Sequence, residues 1–203
     1  MVNEWNEWHN DDMRDDVLLD RPAPVRISVS GAHGVGKTTF CSDVADALKA
    51  GGRTVEIKTD VARSLKGEGV PINQSTEDAQ YALFFERHLD NLFAPPQTDV
   101  VLYDRTILDS IAYAIANKNL DSRWLSFAKK AAAHLLEGID LYFYIPIEFA
   151  IEDDGVRATG AEYQNRVDQA LVALFKESQL HVITIVGNRA ERVEYATKII
   201  SAQ

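Results

Sequence analysis

The residues best placed to do chemistry lie in one short run, Gly31-Ala32-His33-Gly34-Val35-Gly36-Lys37-Thr38-Thr39. Glycines at Gly31, Gly34 and Gly36 free the backbone to curl, so that successive N–H groups face inward and form a concave anion site. A helix starting behind them adds about half a positive charge at its N-terminus. Lys37 supplies a mobile full charge for outer phosphates. The Thr38 hydroxyl is spaced to coordinate Mg²⁺, and Thr39 can reach an inner phosphate. The β-branched run Val25 to Ser30 precedes this segment and an amphipathic stretch follows it, which is the context a Walker A phosphate-binding loop requires. The position of His33 gives weight to its backbone N–H and assigns its ring no catalytic role. Cys41 reads as a small core residue on the inward side of the helix.

The elements that must position this loop are read from the spacing of apolar residues. Short β-branched runs alternate with longer amphipathic stretches, the pattern of a parallel sheet covered by helices. Five strands are expected: Val25 to Ser30, Thr54 to Thr59, Val100 to Asp104, Asp140 to Ile145 and His181 to Val186. Gly51-Gly52 should end the first helix. Ser75-Thr76-Glu77-Asp78 and Thr159-Gly160-Ala161-Glu162 read as capping boxes, and Asn188 with Glu191 as the cap of the last helix. Tyr81, Phe84, Phe85, Leu89, Leu92 and Phe93 recur at helical spacing and predict a core face.

In an open parallel sheet the ligand lies beyond the carboxyl ends of the strands. The second strand delivers Asp60 there, with Arg63 about one turn later. Asp60 could accept the proton of a hydroxyl acceptor while Arg63 holds a polar or anionic part of it, or the pair could be a helix cap and a solvated arginine. The third strand, Val100-Val101-Leu102-Tyr103-Asp104-Arg105, ends in the acid typical of a Walker B element. Asp104 is expected to orient Mg²⁺, and Arg105 to bridge donor and acceptor phosphates. Asp109, three residues after Thr106, is explained by a capping box and is only a weak candidate. After the fourth strand, the polar segment near 147–160 stands where a closing lid would lie. Its cation Arg157 could swing onto a transferring phosphoryl group or simply be solvated. The loop Val186 to Arg192 could flank a nucleotide base.

Bulk properties narrow the function classes. The chain has 203 residues, enough for one α/β domain, and a net charge of −10, the opposite of the basic excess that advertises a duplex-binding surface. Nucleic acid is therefore unsupported by charge, although a local basic groove stays possible. Residues 1–24 form an acidic segment, with seven acids against Arg14 in the first twenty positions, and end in Pro22-Ala23-Pro24. This segment is expected to be a partly disordered arm outside the domain that spans residues 25–203, the alternative being that Trp5 and Trp8 pack on the domain or on a second subunit of a homodimer. One cysteine, no secretory leader and no apolar stretch of about 20 residues predict a cytoplasmic protein outside the membrane. Asn117-Lys118-Asn119-Leu120 lacks the carboxylate that a guanine-reading Asn-Lys-x-Asp motif needs, which argues against a GTPase of that type.

The segments ISVSGAHGVGKTT, VVLYDRTILDSIAYA and DLYFYIPIEFAIEDDGVR resemble the NadR-type ribosylnicotinamide kinases and related AAA-like P-loop ATPases, themselves similar to thymidylate and deoxynucleoside kinases. The resemblance spans about residues 25 to 200. It implies a three-layer P-loop NTPase fold with a five-stranded parallel sheet of order 2-3-1-4-5, ATP as donor, and Asp60 or Asp104 as the acceptor-side acid. The deoxynucleoside kinases carry Glu where this chain has Asp60 and Asp104, and the arginine-rich lid of many nucleotide kinases is reduced here to Arg157. The expectation is an ATP- and Mg²⁺-dependent phosphotransferase acting on a nucleoside-like or nucleotide small molecule. The alternatives are a polynucleotide or modified-base DNA kinase, and a nucleotide-dependent regulatory module without a small-molecule acceptor.

Overall fold

The structure, a computed structural model, describes residues 23–59, 61–70, 78–117, 121–148 and 158–203. The side chains of residues 63, 78, 79, 158 and 159 also lie outside the description. The expectations for the arm at residues 1–22, for Asp60, for the capping residues 75–77 and for Arg157 fall outside the described residues, as does most of the segment expected to form a lid.

Five strands, β1 (Val25–Ser30), β2 (Val55–Lys58), β3 (Val100–Asp104), β4 (Leu141–Tyr144) and β5 (Val182–Thr184), form one all-parallel sheet in the order β2-β3-β1-β4-β5. This is the order that the resemblance implied. Two strands match the expected bounds, and β2, β4 and β5 are trimmed at their ends. Helices cover both faces of the central strands, and β1 buries Ile27 and Val29 on one face and Ser28 and Ser30 on the other. Every residue of β3 and β4 is buried.

Among the described residues, seven helices connect and cover the strands: α1 (Lys37–Ala50), α2 (Val61–Gly67), α3 (Asp78–Phe93), α4 (Ile107–Asn117), α5 (Ser122–Leu135), α6 (Ala158–Glu177) and α7 (Arg189–Ile200). Leu136–Gly138 adds a 3₁₀ turn. One core layer packs α4, α5 and α6 against one face of the sheet, through residues such as Ile111, Ala128, Val167 and Leu171. The other packs α1 and α7 on the opposite face, through Phe40, Val44, Ala196 and Ile200. Cys41 sits in that second core at 1% exposure, as expected.

The caps test the sequence reading locally. Gly51 caps α1, and Asn188 with Glu191 forms a complete capping box on α7. The helix expected to start after Thr159 already runs from Ala158, so Thr159 lies in its first turn. On α3, Tyr81 and Phe84 are buried, but Phe93 is 69% exposed and is corrected from the expected core face. Phe93 is the last residue of α3. Eight residues earlier Phe85 packs on Phe127 of α5, with ring centroids 5.8 Å apart.

Candidate active site

β1 lies at the centre of the sheet and leads directly into the glycine-rich loop, while β3 runs beside it in the register Val29↔Asp104. That register sets the Asp104 carboxylate next to the first turn of α1. Thr38 Oγ1 donates to Asp104 Oδ2 at 2.6 Å, and Asp104 is 3% exposed. Two oxygen donors thus meet at the mouth of the loop, the donor chemistry that a hard divalent cation takes.

The loop is shaped as the sequence implied. At Gly31 a Cβ would stand 2.5 Å from the Ile145 carbonyl oxygen, so the strand end of β4 leaves room only for glycine. Gly36 occupies the N-cap of α1 in the left-handed conformation, with φ 91° and no side-chain cap, and the first turn carries no acid. The amide groups of that turn therefore face the loop with the helix dipole behind them. Lys37 is buried, and its Nζ donates to the Ala32 carbonyl at 2.5 Å. The ammonium stays inside the loop because a loop carbonyl accepts from it. The cradle, the cation and the two oxygen donors fit a magnesium-bound nucleotide phosphate.

Arg105 follows Asp104 with a φ of 79°, a left-handed backbone that a non-glycine residue adopts at a cost. Its own N–H donates to the Val29 carbonyl at 3.1 Å, which fixes this turn against the central strand. Its guanidinium lies 3.8 Å from the Asp109 carboxylate and donates through Nη1 to the Tyr113 hydroxyl at 3.3 Å. Arg105 is thereby brought beside the loop, with Lys37, Thr38 and Asp104.

Asp109 holds more than the helix end that the sequence suggested. The Thr106 N–H donates to it at 3.0 Å, one arm of the expected capping box. The reciprocal arm is absent, since the buried Thr106 hydroxyl has no hydrogen-bond partner. The same carboxylate accepts from Ser30 Oγ at 2.7 Å and from the Gly31 N–H at 3.3 Å. Asp109 therefore ties α4 to the point where β1 becomes the loop.

Three residues were missed in the sequence. Gln164 of α6, 4% exposed, donates through Nε2 to the His33 carbonyl at 2.5 Å and braces the loop from α6. It shares an inward face with Val167 and Leu171, and a polar residue on such a face is the signal that was available. Tyr113 and Tyr163 flank the His33 ring, with centroids 6.2 and 5.9 Å away. The i, i+4 series Arg105, Asp109, Tyr113 was the signal for Tyr113. Burial and the Arg105 and Lys37 cations lower the His33 pKa from its ordinary value.

An AAA domain family matches residues 26–192, from the second residue of β1 into α7. The chain belongs to this AAA domain family. At 26% identity over 178 residues it is similar to a thymidylate kinase of Acholeplasma laidlawii, covering 82% of this chain and 87% of the relative. A thymidylate kinase of Albidiferax ferrireducens is 27% identical over 187 residues, covering 83% and 86%. Among solved structures, a NadR protein in complex with NAD and AMP-PNP superimposes with a TM-score of 0.67 at 16% identity, over 88% of this chain and 49% of that one. The chain thus spans about half the length of that NadR protein. The YorR protein of Bacillus subtilis, in complex with phosphorylated GDP, gives a TM-score of 0.54 at 14% identity, over 87% and 96%. These likenesses establish the P-loop fold of this AAA domain.

Beside the loop of the AAA domain, an open groove of about 510 Å³ is lined by Gly36, Thr39, Phe40, Asp43, Asn188 and Arg189, among others. Arg189 of α7 makes a two-pronged pair with Asp43 of α1, Nε to Oδ2 at 2.6 Å and Nη2 to Oδ1 at 2.7 Å. That contact holds the Asp43 carboxyl below its usual range. Glu148, at the start of the expected lid, accepts from Arg192 Nη2 at 2.6 Å and from the Gly187 N–H at 3.2 Å. Glu148, after β4, is thus anchored to the loop after β5 and to the first turn of α7. No described helix is long and apolar enough to cross a membrane.

Proposed function

We propose that the chain is a kinase that transfers the terminal phosphoryl group of ATP, taken as its magnesium complex, to a nucleoside-like or nucleotide small molecule. The observation that carries this reading is the convergence of Lys37, Thr38, Asp104 and Arg105 at the carboxyl ends of β1 and β3. A nucleotide-hydrolysing module needs the first three. Arg105, held beside the loop from β3, adds a cation on the side away from the base groove, where a second substrate would bring its oxygen. The thymidylate kinases similar in sequence and the NadR protein solved with NAD and AMP-PNP support the same class.

In this reading the loop amides from Gly31 to Thr39 and Lys37 hold the donor phosphates, and the groove beside Arg189 takes the nucleoside end. Thr38 and Asp104 hold Mg²⁺, which supplies charge neutralisation across the outer phosphates. The acceptor oxygen forms its bond to the γ-phosphorus as the bond to the ADP oxygen breaks, and the acceptor proton passes to a base. Asp60, directly before α2, is the proposed base, with Arg63 on the acceptor. Arg105 and Arg157 stabilise charge on the transferring group, which is worth most where water is excluded.

The test incubates the chain with ATP, Mg²⁺ and a panel of nucleosides, nucleoside monophosphates, ribosylnicotinamide and a 5′-hydroxyl oligonucleotide, and reads products by mass. A singly phosphorylated small molecule is expected, with production lost in Lys37→Ala. Absence of any transfer, or an unchanged Lys37→Ala variant, would sink the reading. Transfer confined to the oligonucleotide would replace it by a polynucleotide kinase.

A further inference from the structure

Two residues of α4, one helical turn apart, each touch both Arg105 and the phosphate loop. Asp109 lies 3.8 Å from the Arg105 guanidinium and accepts from the Gly31 N–H at 3.3 Å. Tyr113 accepts from Arg105 Nη1 at 3.3 Å, and its hydroxyl lies 3.3 Å from His33 Nδ1. We propose that Tyr113 is a positioning residue whose hydroxyl links Arg105 to His33, so that the conformation of the phosphate loop sets the place of the arginine; the inference rests on the kinase reading above.

The direction of the chain follows from donor arithmetic. A guanidinium has only donors, so the Tyr113 oxygen must accept from Arg105. Its single proton is then available for His33, and Nδ1 can take it only if that nitrogen is bare. In the proposed link Tyr113 donates to His33, so the ring is neutral and carries its proton on Nε2. The surroundings disfavour a charged ring. Around the ring stand Lys37 from α1, Arg105 from the end of β3, Tyr113 from α4 and Tyr163 from α6, with Asp109 behind Arg105. Burial and two cations oppose a charge on the imidazole, and the backbone of Gly160 is the one raising influence.

The rings add shape to the link. The Arg105 guanidinium carbon lies over the Tyr113 ring, 5.1 Å from its centroid. His33 is held between Tyr113 and Tyr163, and its carbonyl is pinned by Gln164. A long arginine side chain loses conformational freedom when it grips a phosphate, and one already restrained on two sides loses less. Removing the hydroxyl alone should leave the stacking intact and loosen the arginine. The expected signature is a lower kcat with little change in the KM for ATP, because the loop amides and Lys37 still hold the donor.

The test uses the full chain, labelled with ¹⁵N-histidine, as wild type and as Tyr113→Phe, with His33→Asn to assign the His33 signals. In the wild type, long-range ¹H–¹⁵N spectra near neutral pH should show His33 protonated on Nε2, with a hydrogen-bonded Nδ1. In Tyr113→Phe the Nδ1 signal should shift to that of a nitrogen without this donor, and kcat should fall about five- to tenfold, the worth of one hydrogen bond, with KM for ATP within about twofold. An Nδ1-protonated His33 in the wild type, an unchanged Nδ1 signal in Tyr113→Phe, or an unchanged kcat would each overturn the inference. If the wild type phosphorylates no acceptor, the kinase reading falls instead, and the spectra still decide whether the link exists.

Discussion

Ser30, the last residue of β1, donates its hydroxyl proton to Asp109 of α4 at 2.7 Å, and both side chains are buried at 1% exposure. The contact joins positions 79 apart in the chain and lies directly under the loop. Asp109 also satisfies the buried N–H groups of Gly31 and Thr106. Asp109→Ala strands three donors at once and is expected to destabilise the domain by about 2–4 kcal/mol. Ser30→Ala removes one donor with its bond and should cost only about 1 kcal/mol. Urea unfolding of the two variants checks the difference, and equal losses would show that Asp109 serves Ser30 alone.

Gly31 and Gly36 are required for different reasons, and alanine separates them. At Gly31 the added carbon meets the Ile145 carbonyl oxygen at 2.5 Å, so the loop and the end of β4 must move apart. At Gly36 the space is open and the obstacle is the left-handed φ of 91°. Gly36→Ala should cost about 1–2 kcal/mol of conformational strain yet leave a loop that binds ATP analogue weakly. Gly31→Ala should lose analogue binding altogether. Calorimetric titration of each variant reads the contrast.

Most of the frame was legible because it rests on period and punctuation. Val100 to Asp104 is buried throughout and Val25 to Ser30 from Ile27 onward, so short runs rich in Val and Ile or Leu marked both strands to the residue. The Asn188 to Glu191 box marked α7 for the same local reason. Contacts between distant segments were not legible. Asp109 fits a helix cap from its neighbours alone, and only the folded chain shows Ser30 and Gly31 beside it. Gln164 reads as one more polar residue of a long helix until α6 is laid against the loop. Phe93 fails in the opposite way: helical spacing places it with Tyr81 and Phe84, but the core ends before it does.

Thr38 and Asp104 should set the metal requirement. If they hold Mg²⁺ together, Thr38→Val and Asp104→Asn should raise the magnesium concentration needed for half-maximal transfer by at least about tenfold, one lost ligand costing more than about 1.4 kcal/mol. The apparent affinity for ATP without metal should change less. A magnesium titration at fixed ATP is decisive, and an unshifted curve in both variants would remove these residues from the metal site.

Cys41 offers a readout of the core under the loop. Burial raises its thiol pKa well above the ordinary value, with the Asp104 carboxylate as the next cause, so little thiolate is present at neutral pH. The native chain should react with a thiol reagent only as fast as it opens. Urea sufficient to unfold it should raise the rate by more than about a hundredfold. Rapid labelling in the native state would mean that α1 detaches from the sheet far more readily than its packing implies.

Arg105 gives the sharpest separation of stability from function. Its φ of 79° is a region where a side chain is strained and glycine is not. In most positions glycine is the less stable replacement, because it frees the unfolded chain. Here the order should invert. Arg105→Gly and Arg105→Ala lose the same contacts to Asp109 and Tyr113, but only alanine keeps a Cβ in the left-handed conformation. Arg105→Gly should therefore be about 1 kcal/mol more stable than Arg105→Ala in urea. Both variants should lose acceptor phosphorylation while retaining ATP-analogue binding. The strain at Arg105 is then a cost that the fold bears to aim the guanidinium over the phosphate site, and a glycine variant less stable than alanine would refute that account.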